Sequence, residues 1–405
     1  MSECRVCGGV VDEFFDFGRQ PLSDVFCKEA APSDEFFFRL AVGVCGSCTM
    51  VQLMEEVPRE RMFHEDYPYR SSGSATMRGH FEKVAHTFLQ TELTGPDPFI
   101  VEIGCNDGAM LRSIQEAGIR HLGVEPSGGV ADVARAAGVQ VRTAFFEEST
   151  AREIAAEHGP ANVIYAANTI CHIPYLGSIF AGVSALLADD GVFLFEDPYL
   201  GEIVKRASFD QIYDEHFYFF SAHSVRAAAR RFGLELVDVE RLPVHGGELR
   251  YTIARSGSRP VSAMVTEVLA EEAEQRLHDP ATFQDLAARI RRNCQDLVTL
   301  LRELKDKGRR VVAYGATAKS ATVANYCGIG PDLVSAVYDI TPEKQGLYTP
   351  GMHIPVRPME EFHTTYPDYT LLFAWNFADE ILAKESGYRD SGGKWILYVP
   401  DVHVL

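Results

Sequence analysis

The segment "IYDEHFYFFSAHS", residues 212–224, groups a tyrosine, two acids and a histidine with four aromatic residues. An imidazole has an intrinsic pKa near neutrality, so His216 suits proton transfer without extreme tuning. Tyr213, three residues earlier, and the adjacent Glu215 are candidates to assist this base or to bind a substrate. The alternative is a buried aromatic segment that leads into a helix, which we favour for the phenylalanines. The role of His216 therefore depends on what the neighbouring elements hold.

Two CxxC pairs near the N-terminus form a candidate metal site, with Cys4 and Cys7 in "CRVCGG" and Cys45 and Cys48 in "CGSC". Each pair places two thiolates on one side of a tight turn, and together they supply tetrahedral S4 coordination for zinc. Because the metal uses all four sulfurs, the predicted site is structural. Free thiols at chance spacing and redox-active pairs are weaker alternatives, since two such pairs in one short segment are a specific signal.

A second candidate site follows the apolar strand in "VEIGCNDGAML". The chain turns through Gly104 and Gly108 and enters a helix, whose N-terminal amides are open to a ligand. Glu125 ends the next strand, about twenty residues later, where an acid accepts hydrogen bonds from both hydroxyls of a ribose. Asn106 stands where the middle glycine of a dinucleotide loop would be. The resulting ExGxNxG pattern, which starts at Glu102, favours S-adenosylmethionine over NAD.

The elements around this loop also favour a methyltransferase over a dehydrogenase. Asn168 ends the fourth strand of the series, which predicts a position beside the cofactor's methionine portion or the substrate. Phe145 and Phe146 are candidates to face the adenine, with burial in the core an equal alternative. The strands "LELVDVERLP" and "GELRYTIAR" read as a terminal hairpin, which belongs to a methyltransferase sheet.

The 405 residues divide into three sections by sequence pattern. Residues 1–70 form a small zinc-binding module, residues 71–256 a central Rossmann-like class I methyltransferase domain, and residues 257–405 a smaller Rossmann-like α/β domain of about four strands. The predicted fold class is therefore α/β, because continuous apolar strands alternate with helices, as in parallel sheets covered on both faces.

The third section repeats the strand, small-residue turn and helix in "VVAYGATAKSAT". Open amides from Gly315 to Thr317, with Lys319, are candidates to bind a diphosphate. No GK[ST] closes the loop, which argues against ATP hydrolysis. A purely structural duplicate of the central domain is the alternative.

The bulk composition narrows the class of ligand. The formal net charge of −19 opposes binding to nucleic acid and to an anionic membrane surface, so small molecules are the better-supported ligands. The N-terminus has no basic segment followed by an apolar run, and no stretch approaches the roughly 20 apolar residues that cross a bilayer. We expect a cytoplasmic protein, for which a monomer is plausible.

These motifs, in this order and over essentially the whole chain, resemble those of the sugar C-methyltransferases that act on nucleotide-linked ketosugars in antibiotic biosynthesis. The resemblance implies an N-terminal zinc domain, a central S-adenosylmethionine domain and a C-terminal domain that helps to hold the nucleotide sugar. It also implies that His216 is the catalytic base. Further family positions correspond to Tyr67 of "EDYPYRSS", with Tyr69 as the alternative, and to His172 of "NTICHI".

The expected reaction is methylation of C-3' in a dTDP-linked 4-keto-6-deoxysugar through an enolate. The base removes the hydrogen next to the carbonyl, and a donor such as Tyr67, Tyr213 or His172 stabilises the enolate oxygen. Alternatives within the same chemistry are methylation at C-5', or of an oxygen or nitrogen of a related sugar. A zinc-ribbon protein that binds a partner without catalysis is the alternative from another class.

Overall fold

A computed structural model describes residues 2–405 except residues 31, 64, 66 and 68. The strands are β1 Ser2–Glu3, β2 Val10–Pro21, β3 Phe37–Cys45, β4 Val51–Leu53, β5 Phe99–Ile103, β6 Arg120–Val124, β7 Val141–Arg142, β8 Ala161–Ala167, β9 Leu187–Pro198, β10 Tyr218–Phe219, β11 Leu234–Leu242, β12 Glu248–Arg255, β13 Val311–Tyr314, β14 Val337–Asp339, β15 Val356–Pro358, β16 Tyr369–Leu372, β17 Lys394–Leu397 and β18 His403–Val404.

The helices connect and cover these strands. They are α1 Arg59–Met62, α2 Ala75–Gln90, α3 Leu111–Glu116, α4 Gly128–Ala136, α5 Glu148–His158, α6 Leu176–Leu186, α7 Leu200–Arg206, α8 Ala222–Arg230, α9 Ala263–Glu274, α10 Pro280–Asp306, α11 Ala318–Cys327, α12 Met359–Thr364, α13 Ala378–Lys384 and α14 Ser386–Asp390. Within the described ranges, none of these helices combines the length and apolarity needed to span a membrane.

The central sheet has seven strands in the order β11-β12-β9-β8-β5-β6-β7. Five strands are parallel, and β12 and β11 add an antiparallel edge, which confirms the predicted hairpin. All five residues of β5 are buried, as expected for a strand covered on both faces. The sequence predicts a longer strand in "VQVRTAFF", but only Val141 and Arg142 pair. Beyond them the chain leaves the sheet edge and brings Phe145 and Phe146 to the central cavity.

The N-terminal sheet is antiparallel, in the order β1-β2-β3-β4-β10. Its last strand comes from the aromatic segment that follows His216, with Tyr218 opposite Gln52 and Phe219 opposite Val51. The backbone amide of Leu53 also donates to the carbonyl of Phe217 at 2.9 Å. The aromatic residues are thus buried core, as the sequence favours, and in addition they join the N-terminal module to the segment that carries His216.

The third sheet has six strands in the order β15-β14-β13-β16-β17-β18. Four of them are the predicted strands, and β15 and β18 extend the two edges with three and two residues. The 27-residue helix α10 precedes this sheet. Thr317 precedes α11 at the carboxyl end of β13, the edge at which parallel α/β sheets bind ligands.

Candidate active site

One cavity of about 360 Å³ is lined by residues of all three sections of the chain. The predicted site residues among its lining are Tyr67, Gly104, Asn106, Glu125, Asn168, His172, Tyr213, Glu215, His216, Thr317 and Lys319. Gly108 and Gly315 belong to the same loops, and Glu102 belongs to the strand β5, but none of the three is part of the lining. Residues as far apart in the chain as Tyr67 and Lys319 therefore surround a single space.

His216 and Tyr213 form a hydrogen-bonded pair at this cavity. Nδ1 of His216 lies 2.8 Å from the carbonyl oxygen of Gln211, and Nε2 lies 2.9 Å from the hydroxyl of Tyr213. Because a carbonyl oxygen only accepts, Nδ1 carries the proton, and Nε2 accepts from Tyr213. Burial, with help from His172 and Lys319, holds the pKa of His216 well below its ordinary value. The imidazole is therefore neutral at neutral pH, with its basic nitrogen in the cavity wall.

Tyr213 and His216 lie side by side although their segment is not helical. Residues 213–215 form a turn, in which the amide of His216 donates to the carbonyl of Tyr213 at 3.1 Å. This turn brings the two rings to a centroid separation of 4.2 Å.

Glu215 and Tyr67 form a second pair at the cavity. The hydroxyl of Tyr67 donates to Oε2 of Glu215 at 3.2 Å. Burial and the neighbouring acids Asp24 and Asp214 raise the pKa of Glu215 well above its ordinary value. A protonated Glu215 can donate a hydrogen bond to a polar group of a substrate. Of the two candidate tyrosines, Tyr67 makes this contact, whereas Tyr69 lines the cavity with 44% of its surface exposed.

His172 lies beside His216, with 5.2 Å between the ring centroids, and stacks on Phe63. Its Nε2 is buried and has no hydrogen-bond partner among the described residues. Burial lowers its pKa to about 4. A neutral imidazole with an open nitrogen can donate to or accept from a bound ligand.

The carboxylate of Glu125 is held at the cavity by two backbone amides. The amide of Asn106 donates to Oε2 at 3.0 Å, and that of Ser127 donates to Oε1 at 2.9 Å. Each oxygen keeps lone pairs for a diol, so the residue fits a ribose. Asn106 adopts a left-handed φ of +50°, and its Oδ1 accepts from the amide of Ser71 at 3.0 Å.

Gly104 allows this loop to pass close to the end of β8. Its φ is +69°, and a Cβ there would lie 2.5 Å from Oγ1 of Thr169. A side chain at this position would therefore push apart the two loops that border the cofactor space. Asn168, the residue before Thr169, also has a left-handed φ of +48°.

The N-terminus of α11 reaches the cavity from the third sheet. Oγ1 of Thr317 and Nζ of Lys319 are buried without a partner in the described part of the chain. Nearby, Lys344 donates to the carbonyl of Ala316 at 2.9 Å and to Asp24 at 3.2 Å. Buried donors without acceptors beside helix amides fit a phosphate group.

The four predicted zinc ligands come together outside this cavity. The sulfurs of Cys4 and Cys48 are 3.5 Å apart, those of Cys7 and Cys45 are 3.4 Å apart, and all four lie within 4.8 Å of one another. A tetrahedral zinc site with Zn–S bonds of about 2.3 Å needs sulfur separations of about 3.8 Å. The cluster therefore fits zinc.

Several residues that line the cavity were not predicted from the sequence. Asp24, Gln211 and Lys344 carry no local signal, because each reaches the cavity only through long-range folding. His245 lies in the turn between β11 and β12 and also lines the cavity. Its "HGG" context, with a histidine just before two glycines, was the one available clue.

Comparison with known proteins gives the family. The chain is 34% identical, over 410 aligned residues, to the C-methyltransferase NovU of Streptomyces niveus, with all of this chain and 97% of that protein covered. The chain belongs to this family of C-methyltransferases. Family models for a zinc binding domain, a methyltransferase domain and a C-methyltransferase C-terminal domain match residues 4–63, 77–239 and 243–400.

Solved structures resemble parts of this C-methyltransferase. An S-adenosylmethionine-dependent methyltransferase of Anabaena variabilis has 19% identity and a TM-score of 0.34, covering 42% of this chain and 83% of its own. The PH0226 protein of Pyrococcus horikoshii has 14% identity and a TM-score of 0.37, covering 49% and 98%.

The C-methyltransferase uses S-adenosylmethionine as its methyl donor and zinc as a structural metal. The chain's own residues fit both groups, since Glu125 presents an oriented carboxylate for a ribose and the cysteine quartet has the sulfur spacing of a zinc site.

Proposed function

We propose that this C-methyltransferase methylates C-3' of a nucleotide-linked 4-keto-6-deoxysugar, with dTDP as the nucleotide, in antibiotic deoxysugar biosynthesis. One observation carries the proposal. A single cavity combines a neutral histidine base, the S-adenosylmethionine loop and a helix N-terminus with free donors. A nucleotide ketosugar has a matching acidic C–H, a carbonyl oxygen and a diphosphate. The acidic C–H matches the histidine base, the carbonyl oxygen matches the hydroxyl of Tyr213 beside it, and the diphosphate matches the free donors at the helix N-terminus, while the loop holds the methyl donor.

In the proposed reaction, Nε2 of His216 takes the hydrogen from C-3'. The electrons of that C–H bond move into the enolate, and the negative charge rests on O-4'. Tyr213 must turn its hydroxyl away from Nε2 to free the lone pair, and the same hydroxyl then donates to O-4'. The Nδ1–H bond to Gln211 keeps the ring in place as Nε2 gains its proton.

The bound cofactor supplies an electrophilic methyl group, which the enolate carbon accepts. The chain's part in this step is positioning. Glu125 and the Gly104 loop hold the cofactor, and the Tyr213–His216 pair borders the same cavity. Phe63 and the aromatic segment exclude water, which would otherwise return a proton to the enolate.

Glu215, Tyr67 and His172 complete the proposed sugar site. The buried carboxyl of Glu215, whose raised pKa favours its protonated form, and the hydroxyl of Tyr67 hold polar substituents of the ring, and His172 offers its open Nε2. The first turn of α11, with Thr317 and Lys319, holds the diphosphate.

Solvent exchange tests the mechanism. The enzyme and the dTDP-linked 4-ketosugar are incubated in D2O with S-adenosylhomocysteine in place of the methyl donor, and deuterium is located by NMR. We expect deuterium at C-3', and the methyl group at the same carbon once S-adenosylmethionine is supplied. Exchange and methylation at C-5' would assign the other carbon. Methyl transfer without any C–H exchange would indicate methylation of an oxygen or nitrogen and reject the enolate.

A further inference from the structure

The residues that line the cavity at the strand ends follow the order of the strands in the central sheet. The strands β8, β5, β6 and β7 are neighbours in that order, and they are followed by Asn168, Gly104, Glu125 and Phe145. The amide of Glu125 donates to the carbonyl of Arg142 at 3.1 Å, which keeps the ends of β6 and β7 side by side. Because the ribose joins the two ends of the cofactor, a ribose at Glu125 directs one end toward β5 and the other toward β7.

The chemistry of the lining shows which end of the cofactor suits each direction. Toward β5 and β8 the lining includes the polar side chains of Asn106 and Asn168, which suit the charged groups of the methionine portion. Beyond β6 it includes Pro126, Phe145 and Phe146, and aromatic rings favour stacking on one another. The adenine ring therefore fits the end of the cavity at β7, which we call the adenine end.

Arg59, the first residue of α1, reaches the adenine end from the zinc-binding section. Its guanidinium carbon lies 4.0 Å from the centre of the Phe145 ring and 4.8 Å from that of Tyr175. Its Nη1 donates to Oε1 of Glu147 at 2.6 Å, and its side chain lines the cavity. A guanidinium at such a distance is attracted to the face of an aromatic ring. Arg59 thus holds both Phe145 and Glu147, two residues of the loop 143–147 that follows β7.

A second contact brings the same section to the loop that follows β6. A Cβ on Gly129 would lie 2.5 Å from the backbone carbonyl oxygen of Glu65, and one on Gly128 would lie 2.9 Å from Oε2 of Glu65. The two glycines at the start of α4 leave room for this close approach. The zinc-binding section therefore packs on both loops that border the adenine end.

We infer that Arg59 is a positioning residue for the cofactor, which holds Phe145 in the place where this ring packs against the adenine of S-adenosylmethionine. The cation attracts the ring, and the ion pair with Glu147 anchors the cation to the same loop. The zinc-binding section then contributes directly to cofactor affinity. The inference concerns the cofactor alone, so it does not depend on the sugar or on the carbon that is methylated.

Three variants and a matched control test the inference. Arg59→Met keeps a long unbranched side chain and removes the cation, whereas Arg59→Lys keeps the charge and loses the planar guanidinium. Glu147→Gln weakens the ion pair and leaves the zinc-binding section unchanged. The control is Arg61→Met, because Arg61 belongs to the same helix and lies 4.4 Å from the ring centre of Phe36, which is not part of the cavity lining. Zinc content and thermal unfolding without ligand report whether each variant is folded.

Calorimetry gives the dissociation constants of S-adenosylhomocysteine and of 5'-methylthioadenosine, which keeps the adenosine and lacks the amino acid portion. We expect Arg59→Met to raise both constants about tenfold, Arg59→Lys and Glu147→Gln to raise both by a smaller factor, and Arg61→Met to leave them within about twofold. Wild-type constants in any folded variant of Arg59 or Glu147 overturn the inference. A loss confined to S-adenosylhomocysteine also overturns it, since the effect would then lie at the amino acid end.

A double variant tests whether Arg59 acts through Phe145. Phe145→Leu removes the aromatic ring and should itself weaken the binding of both ligands. If Arg59 acts by holding this ring, adding Arg59→Met to Phe145→Leu should change the dissociation constants by less than about twofold. If the two losses multiply instead, Arg59 acts independently of Phe145 and the positioning role is rejected.

Discussion

The chemistry of this enzyme depends on how single side chains are surrounded. His216 could be chosen from the sequence because its type suits a base and its segment matches a family motif. Its tautomer could not, because the proton on Nδ1 is fixed by the carbonyl of Gln211, five residues earlier in a turn. His245 shows the same limit, since its place in the cavity follows from a strained turn packed on Trp375 and Glu202.

Removing the base should separate catalysis from cofactor binding. We expect His216→Asn to lower the rate of methyl transfer by about 100-fold to 10,000-fold, the usual contribution of a general base. Its affinity for S-adenosylmethionine, measured by calorimetry, should stay within about twofold, because the Glu125 loop is untouched. The matched control is His223→Asn, an exposed histidine of α8 that should keep full activity. A His216→Asn enzyme with near-normal turnover would place the base elsewhere.

The rate of deuterium exchange should begin to fall at a lower pH than it would with an ordinary histidine as the base. A base must be unprotonated to act, and burial lowers the pKa of His216 below its usual value of about 6.5. Deuterium exchange in the absence of methyl transfer should therefore stay constant from about pH 8 to pH 6.5 and fall only at lower pH. An exchange rate that falls to half at or above pH 6.5 would contradict an unprotonated, buried His216.

At the scale of elements, local patterns predicted what each strand and helix is, and long-range pairing decided where it lies. The turn and helix after β5, the terminal hairpin and the helix that follows the aromatic segment are all expected from the sequence and are present. The pairing of β10 with β4 could not be predicted, because it joins residues more than 160 positions apart and spans only two residue pairs. The same is true of the short edge strands β15 and β18.

The pairing of β10 with β4 links the zinc module to the segment that carries His216, the proposed base. Loss of zinc should loosen the cysteine turns and with them β4, whose Leu53 is bonded to the residue after His216. We expect Cys45→Ser to lose one zinc per chain by elemental analysis, to unfold at a lower temperature and to lose most methyl transfer. Cys294→Ser, which changes a half-buried cysteine of α10 outside the cluster, is the control and should keep its zinc. Normal zinc content and unfolding temperature in Cys45→Ser would reject a structural site.

At the scale of the molecule, the segment that carries Tyr213 and His216 contacts both the N-terminal and the C-terminal sections. Asp214 accepts from the amide of Ser23 of the N-terminal section at 3.0 Å. Thr322 of α11, in the C-terminal section, donates to the carbonyl of Ile212 at 2.8 Å. The cavity therefore forms only when all three sections are docked. Composition and periodicity do not predict this docking. The resemblance to sugar C-methyltransferases does imply that the C-terminal section helps to hold the substrate.

Asp210 connects the central section to the C-terminal section through two hydrogen bonds. Its buried Oδ2 accepts from Nε1 of Trp375 at 2.6 Å and from the hydroxyl of Tyr398 at 2.8 Å, and both donors belong to the C-terminal section. Asp210→Ala leaves two buried donors unpaired, which should lower the free energy of unfolding by about 2–5 kcal/mol. Because α11 would lose its fixed position, we also expect the KM for the nucleotide sugar to rise while the Kd for S-adenosylmethionine is unchanged.

The isosteric variant Asp210→Asn distinguishes the loss of these two hydrogen bonds from the loss of the negative charge. Its amide oxygen can still accept from both Trp375 and Tyr398, so it should keep most of the stability and a near-normal KM. Tyr398→Phe removes one donor and should cost about 1 kcal/mol alone, but little when combined with Asp210→Ala, because both changes break the same bond. Denaturant unfolding and kinetics of the wild-type enzyme and the four variants measure these effects. If Asp210→Ala and Asp210→Asn lower the free energy of unfolding and raise the KM equally, the negative charge of Asp210, which lies near Lys319, holds the sections together instead.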